Sequence, residues 1–226
     1  MTFLTFAWDW LKSPQQWQGQ DSIQFRLLQH LGYTSLSLLV AALIAVPVGL
    51  LIGHGRRGGL VAVNIANIGR AIPTLGLVVL VAVLSGLKAV SWLIPLVVLA
   101  IPPILVNTCE GVAGVDPELT DAARGMGMTR WQLLWKVEVP VALPLILLGL
   151  RTAAIFVVAT ATIAAYPGFG GLGRYIFDGL ASNNYGEVAG GAVVIVVLAL
   201  VIQAAFAGLR RLVVPRGLRL QARSSR

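Results

Sequence analysis

Five stretches of this chain run without a single Asp, Glu, Lys or Arg: 29 residues over 27–55, 17 over 71–87, 21 over 89–109, 22 over 152–173 and 22 over 188–209. A helix that crosses the hydrocarbon of a bilayer needs roughly 20 mostly apolar residues. Soluble domains carry about 25% charged residues, whereas this chain of 226 has 12% charged and 57% hydrophobic. The sequence therefore predicts an all-α polytopic membrane protein.

The same composition excludes several chemistries. One cysteine, Cys109, leaves no disulfide framework and no multi-cysteine metal site. The two histidines, His30 and His54, do not have the H-E-x-x-H spacing of a zinc hydrolase. Neither has a constellation of candidate ligands around it. No Gly-Lys pair occurs, so a phosphate-binding loop is absent and any ATP-driven work falls to a partner. No cofactor is expected on the chain itself. A net charge of +8 marks loops beside a membrane rather than nucleic-acid binding. The start, MTFLTFAWDWLKSPQQW, lacks a cationic region before an apolar core and is read as carrying no cleaved signal peptide.

Five transmembrane helices are expected, at about 32–53, 60–86, 90–109, 141–163 and 188–208, within one transmembrane domain over 30–208. Residues 1–29 form a leader, with an amphipathic stretch from Ile23 to Leu31 suited to the membrane surface. Pro73 should kink the second span, since proline removes a backbone donor. Residues 164–186 read as a glycine-rich loop, and 209–226 as a basic tail. If the connection 110–140 is cytoplasmic, that side gathers Arg56, Arg57, Arg124, Arg130, Lys136 and the six tail arginines. Lys12, Arg26, Lys88 and Arg174 fall on the other side. That eleven-to-four excess places the N-terminus outside and the C-terminus in the cytoplasm. No tandem repeat or low-complexity segment interrupts the chain.

The connection carries the most specific signal. In DPELTDAARGMGMTRWQLLWKVEVP, residues 116–140, Asp116 is placed to cap a helix that begins at Pro117. Glu118 complements the positive end of that helix. The helix stops at Gly125-Met126-Gly127, where glycine permits a positive φ. A second helix starts at Thr129, with Gln132 at capping-box spacing, and is expected to break at Pro140. Such a rigid hairpin is suited to being gripped by a soluble partner. The alternative is an interfacial loop whose short helices lie flat on lipid.

This stretch resembles the signature loop of permease subunits of binding-protein-dependent ABC importers: E-A-A, three residues, Gly, nine residues, Ile-x-Leu-Pro. Here Asp121-Ala122-Ala123, Gly127 and Val137-Glu138-Val139-Pro140 stand at that spacing, with Asp for Glu and Val for both Ile and Leu. The resemblance covers about residues 27–208. It is strongest to permeases of the osmoprotectant group, which import glycine betaine, carnitine, choline or proline betaine. The runs ARGMGMTRWQLLWKVEVPVALPLILLGLRTA, TATIAAYPGFGGLG, NIGRAIPTLGL and PILVNTCEGV carry it. Methionine-importer permeases are similar in size and in their glycine-rich segment but less similar through the coupling region. Tyr166-Pro167 departs from the expected aromatic followed by an apolar residue.

The resemblance implies a subunit of the prokaryotic cytoplasmic membrane that works with a second permease copy, an ATPase dimer and an external solute-binding protein. The helix 117–126 would seat on the ATPase, with Asp121 in contact and Gly127 supplying the turn. ATP would be used by that partner. By the same resemblance the solute would be an osmoprotectant such as glycine betaine, carnitine or choline; methionine or another amino acid is the alternative.

Gly168-Phe169-Gly170-Gly171-Leu172-Gly173 matches G-x-G-x-x-G, but an apolar span rather than a strand precedes it, so dinucleotide binding is set aside. A loop at the mouth of the path, or an ordinary turn, fits better. Tyr166 with Thr160 and Thr162, and Gly170 with Gly171, are the candidate path or mouth residues. No tight aromatic cluster of the kind that holds a quaternary ammonium is visible, which fits a cage on the external binding protein. Arg70 and Arg151 read as snorkelling to the inner interface, with Glu110 able to pair with either. Asn64, Asn67, Asn107, Thr152, Thr160, Thr162 and Gln203 are expected to hydrogen-bond between helices. Gly49 and Gly53 permit a close helix approach, within the chain or between subunits. An ion-coupled secondary transporter would show paired inverted repeats, and a membrane scaffold would need no capped hairpin.

Overall fold

The computed structural model describes residues 3–56, 59–86 and 91–213, without the side chains at 61, 62, 65, 66 and 70. Arg57, Lys88, the Arg70 side chain and the tail from residue 214 lie outside that set. Among the described residues every regular element is helical. In order these are α1 (Phe3–Lys12), a 3₁₀ turn (Pro14–Trp17), α2 (Ile23–Gly55), α3 (Gly59–Ala71), α4 (Thr74–Leu84) and α5 (Leu93–Ala113). There follow α6 (Pro117–Gly125), α7 (Arg130–Leu133), a π turn (Leu134–Glu138), α8 (Val139–Ala164), α9 (Gly173–Ala181) and α10 (Tyr185–Val213). Among the described residues four continuous helices are long and apolar enough to cross a bilayer: Ile23–Gly55, Leu93–Ala113, Arg130–Ala164 and Tyr185–Val213.

Several expected boundaries move. The stretch Ile23–Leu31 is no separate interfacial segment; it forms the first turns of α2. The expected second span is broken rather than kinked, into α3 and α4, with Pro73 extended at φ −63 and ψ 111. Proline cannot donate to the turn behind it and disfavours helical geometry in the residue before it. The helix expected to end at Pro140 instead runs through it from Arg130 to Ala164. A π turn immediately precedes that proline, and Val139 N–H donates back to the Leu134 carbonyl. Widening the helix there accommodates a ring that lacks an N–H and crowds the carbonyl four residues back. The expected loop 164–186 contains α9, and α10 extends to Val213, into the expected tail.

The contacts divide the chain into two compact units, and α2, α5, α8 and α10 each contribute to both. The first gathers residues within Met1–Val40, Ile72–Ala100 and Ala154–Ile202. Trp10, Ile23, Leu172, Tyr175 and Leu198 form a buried cluster there. Trp10 meets Tyr175 edge-on, with ring centroids 5.1 Å apart and planes at 71°. The indole lies flush on α10: a Cβ at Gly190 would come within 2.0 Å of its ring. This is how α1 is held, one face carrying Ala7 and Trp10 inward while Phe3, Leu4 and Trp8 stay exposed.

The second unit comprises residues within Ala41–Ala71, Ile101–Ala153 and Gln203–Arg226. Leu50, Val112, Leu134, Ala142 and Ile146 are buried together, with Val46, Val139 and Leu150 against them. Gly49 and Gly53 face α5, where an added Cβ would fall 2.8 Å from Thr108 and from Val112. The close approach foreseen for this pair is thus used inside the chain, as small residues are where helix backbones must nearly touch.

Candidate functional site

The hairpin around α6 lies in the second unit. Asp116 Oδ1 accepts from Glu118 N–H at 2.9 Å, which caps α6, and Thr120 donates to the Pro117 carbonyl at 2.9 Å. The helix ends in a Schellman closure: Gly127 N–H donates to Arg124 O at 2.9 Å and Met128 N–H to Ala123 O at 3.2 Å. Gly127 stands at the closing position with φ +81, a conformation that only glycine reaches cheaply. Thr129 and Gln132 then form the reciprocal capping box, at 2.9 and 3.3 Å, that opens α7.

Thr120 and Ala123 are the buried side of α6, packed over the π turn. Everything else on the helix is presented outward. Leu119 and Met126 are 50% and 72% exposed, and among the described residues Asp121 makes only an exposed pair with Arg124, at 3.1 Å. Such a pair contributes about 0.2–0.5 kcal/mol, so Asp121 is available to a stronger partner at little cost. Among the signature positions, Asp121 and Ala122 are exposed, Ala123 is buried and Gly127 makes the turn. Val137 is half-buried in the π turn, and Pro140 is exposed on α8. The hairpin is a capped ridge of mixed apolar and charged character, held from beneath and open above.

Sequence reasoning missed what lies beneath it. Glu138, at the end of the π turn, is 1% exposed. Its Oε2 lies 2.6 Å from Nδ1 of His54, in the last turn of α2. Two residues on, Arg56 Nη2 donates to the Val115 carbonyl at 3.1 Å. His54 thus has a hydrogen-bond partner, and a separation of 84 residues leaves no local signal of it.

The second group of candidates lies in the first unit. The glycine-rich segment is pinned to α2: Gln29 Oε1 accepts from Gly171 N–H at 3.0 Å, and His30 Nδ1 from Leu172 N–H at 3.4 Å. His30 thus also has a role that its isolation in the sequence did not reveal. An added Cβ at Gly170 would meet the Gln29 amide at 2.5 Å, and Gly171 holds φ +92. The glycines serve this close approach, and α9 starts directly from it. Tyr166 is 57% exposed, its ring edge-on to Phe177 at 5.3 Å. Thr160 is buried.

Thr162 donates to the Val158 carbonyl at 3.0 Å, Thr152 to Leu148 at 2.9 Å and Asn107 to Pro103 at 2.8 Å. These bonds close within their own helices rather than between helices, because a side chain one turn on reaches the carbonyl four residues back. Glu110 is exposed and forms no ion pair with Arg151 among the described residues. Arg174 bridges to Asp178 with its Nε at 2.9 Å from Oδ2. Tyr175 donates to the Asp21 carbonyl at 2.6 Å. Burial pushes its phenol up to about 12, with Arg26 opposing and Asp21 and Glu187 assisting, so it remains a donor well above neutral pH.

The sequence profile of the family described as the binding-protein-dependent transport system inner membrane component matches residues 45–218, which include the whole hairpin. The chain belongs to that family. As a permease of this family it is an inner-membrane transport protein rather than an enzyme. The carnitine transport permease protein OpuCB of Listeria monocytogenes is 35% identical over 84% of this chain and 88% of its own length. The glycine betaine/carnitine/choline transport system permease protein OpuCB of Bacillus subtilis (strain 168) is 34% identical over 84% and 88%. A chain of the inward-facing MetNI methionine ABC transporter superposes with a TM-score of 0.72, at 28% identity, over 83% of this chain and 94% of that one.

Proposed function

We propose that this permease forms the membrane path of an ATP-driven importer for a small osmoprotectant such as glycine betaine, carnitine or choline. Five crossings serve it: α2, the broken α3–α4 pair, α5, the α7–α8 helix and α10. The hairpin 110–140 and the C-terminus lie in the cytoplasm. A second permease copy completes the path, two ATPase subunits receive the two α6 helices, and a solute-binding protein docks outside. Thr160, Thr162 and Tyr166 line the path or its mouth, beside the loop of Gly170 and Gly171. The observation that carries this reading is the outward-facing, doubly capped α6 ridge at the signature spacing. Solute identity is supported by the curated relatives that cover most of the chain.

The mechanism follows from linkage. Moving a two-state transporter from roughly 1:99 to 99:1 takes about 5.5 kcal/mol of differential binding. ATP at the motor and the loaded binding protein at the other face must together supply it, each favouring the outward-facing packing. Labelled glycine betaine, carnitine and choline should enter, in an ATP-dependent manner, a host carrying the complete transporter, and more so at high osmolarity. Uptake of methionine with none of these three would overturn the solute assignment.

A further inference from the structure

We propose that His54 and Arg56, at the end of α2, are positioning residues that grip both flanks of α6 and carry its displacement into α2. The inference rests on α6 being the ATPase contact and names how that contact reaches a membrane helix. Arg56 holds the Val115 carbonyl, one residue before the cap of α6. His54 holds Glu138, in the long helix 130–164 that leads back from the hairpin. One turn of α2 thus fixes the chain on either side of the coupling element, and α6 itself packs on the π turn that ends at Glu138.

The apolar contacts nearby cannot do this alone. Leu50, Val112, Leu134, Ala142 and Ile146 form a non-directional patch, along which helices can slide by fractions of a turn. A carboxylate bonded to an imidazole is short and directional. Glu138 Oε2 and His54 Nδ1, 2.6 Å apart, share one hydrogen bond, and its direction in space is set by the imidazole plane. Glu138 is also an expensive residue to bury, at 2% side-chain exposure against 22% for His54. A pair of leucines in such a place is commonly as stable as a buried polar pair or more so, whereas a directional hydrogen bond can hold one register. The π turn that delivers Glu138 is itself a local departure of the kind that gathers at working sites. Arg56 adopts φ +52, which long side chains seldom do, and its bond to Val115 offsets that strain.

The test uses the complete transporter in proteoliposomes, with binding protein and ATPase, and reads ATP hydrolysed per solute imported. Glu138→Ala should insert and hydrolyse ATP while that ratio rises about tenfold, within the range of coupling factors between sites. The double variant His54→Leu/Glu138→Leu should melt no lower than the wild type yet be equally uncoupled, which a merely structural pair would not produce. The exchange His54→Glu/Glu138→His should restore the wild-type ratio. A wild-type ratio in the leucine double, or uncoupling that the exchange does not relieve, overturns the proposal. An Asp121→Cys cross-link separates the two levels. If it joins the ATPase and the ratio is unchanged in the leucine double, the linkage alone is wrong; if it never joins the ATPase, the reading of α6 fails and the linkage with it.

Discussion

Gly127 shows how much one backbone angle decides. Its φ of +81 closes α6, and nothing lies within 4 Å of where a side chain would begin. A substitution there is strained but does not clash, so the cost is the left-handed backbone itself, about 1–2 kcal/mol. Gly127→Asp should therefore insert normally and lose ATP-dependent uptake; undiminished uptake at wild-type expression would count against a coupling role. Trp10 works differently. It fills the space that Gly190 leaves open on α10, so the leader is held by shape. Glu138 differs again, since its buried carboxyl group is met by a histidine far away in the chain.

Among the elements, those whose signals are local were legible in the sequence. Asp116, Pro117, Thr129 and Gln132 specify two helix starts by themselves, and all take the expected roles. Pro73 announced an interruption, and the break at α3–α4 is a stronger form of it. The passage of the helix through Pro140 has no local signal: the π turn before it ends at Glu138, whose partner His54 lies 84 residues away, outside any window of neighbouring residues. Helix α9 was missed because its start is built from glycines, which read as a loop until Gln29 and His30 are seen to hold them. Thr129→Ala, which removes one half of the capping box, should cost about 1 kcal/mol. Backbone amides of Arg130–Leu133 should then exchange hydrogen several-fold faster, and unchanged exchange would show that tertiary packing alone holds α7.

In the whole molecule, orientation and assembly are what the sequence reached only through charge counting and resemblance. The sole cysteine, Cys109, is buried, so single cysteines can be introduced with little background. A membrane-impermeant maleimide should label Asn183→Cys from outside intact cells and Met126→Cys only after permeabilisation; both positions are exposed. The reverse pattern would invert the proposed topology. Apolar residues along α10, Val196, Val197, Leu200 and Val201 among them, are exposed in the isolated chain and suit lipid or a second permease copy.

The most direct measurement is a density map of the complete transporter in a lipid nanodisc. The account predicts that Pro117–Gly125 is buried in a cleft of the ATPase subunit, with Asp121 turned toward it. The same helix lying flat along the headgroups, clear of any ATPase surface, would contradict it.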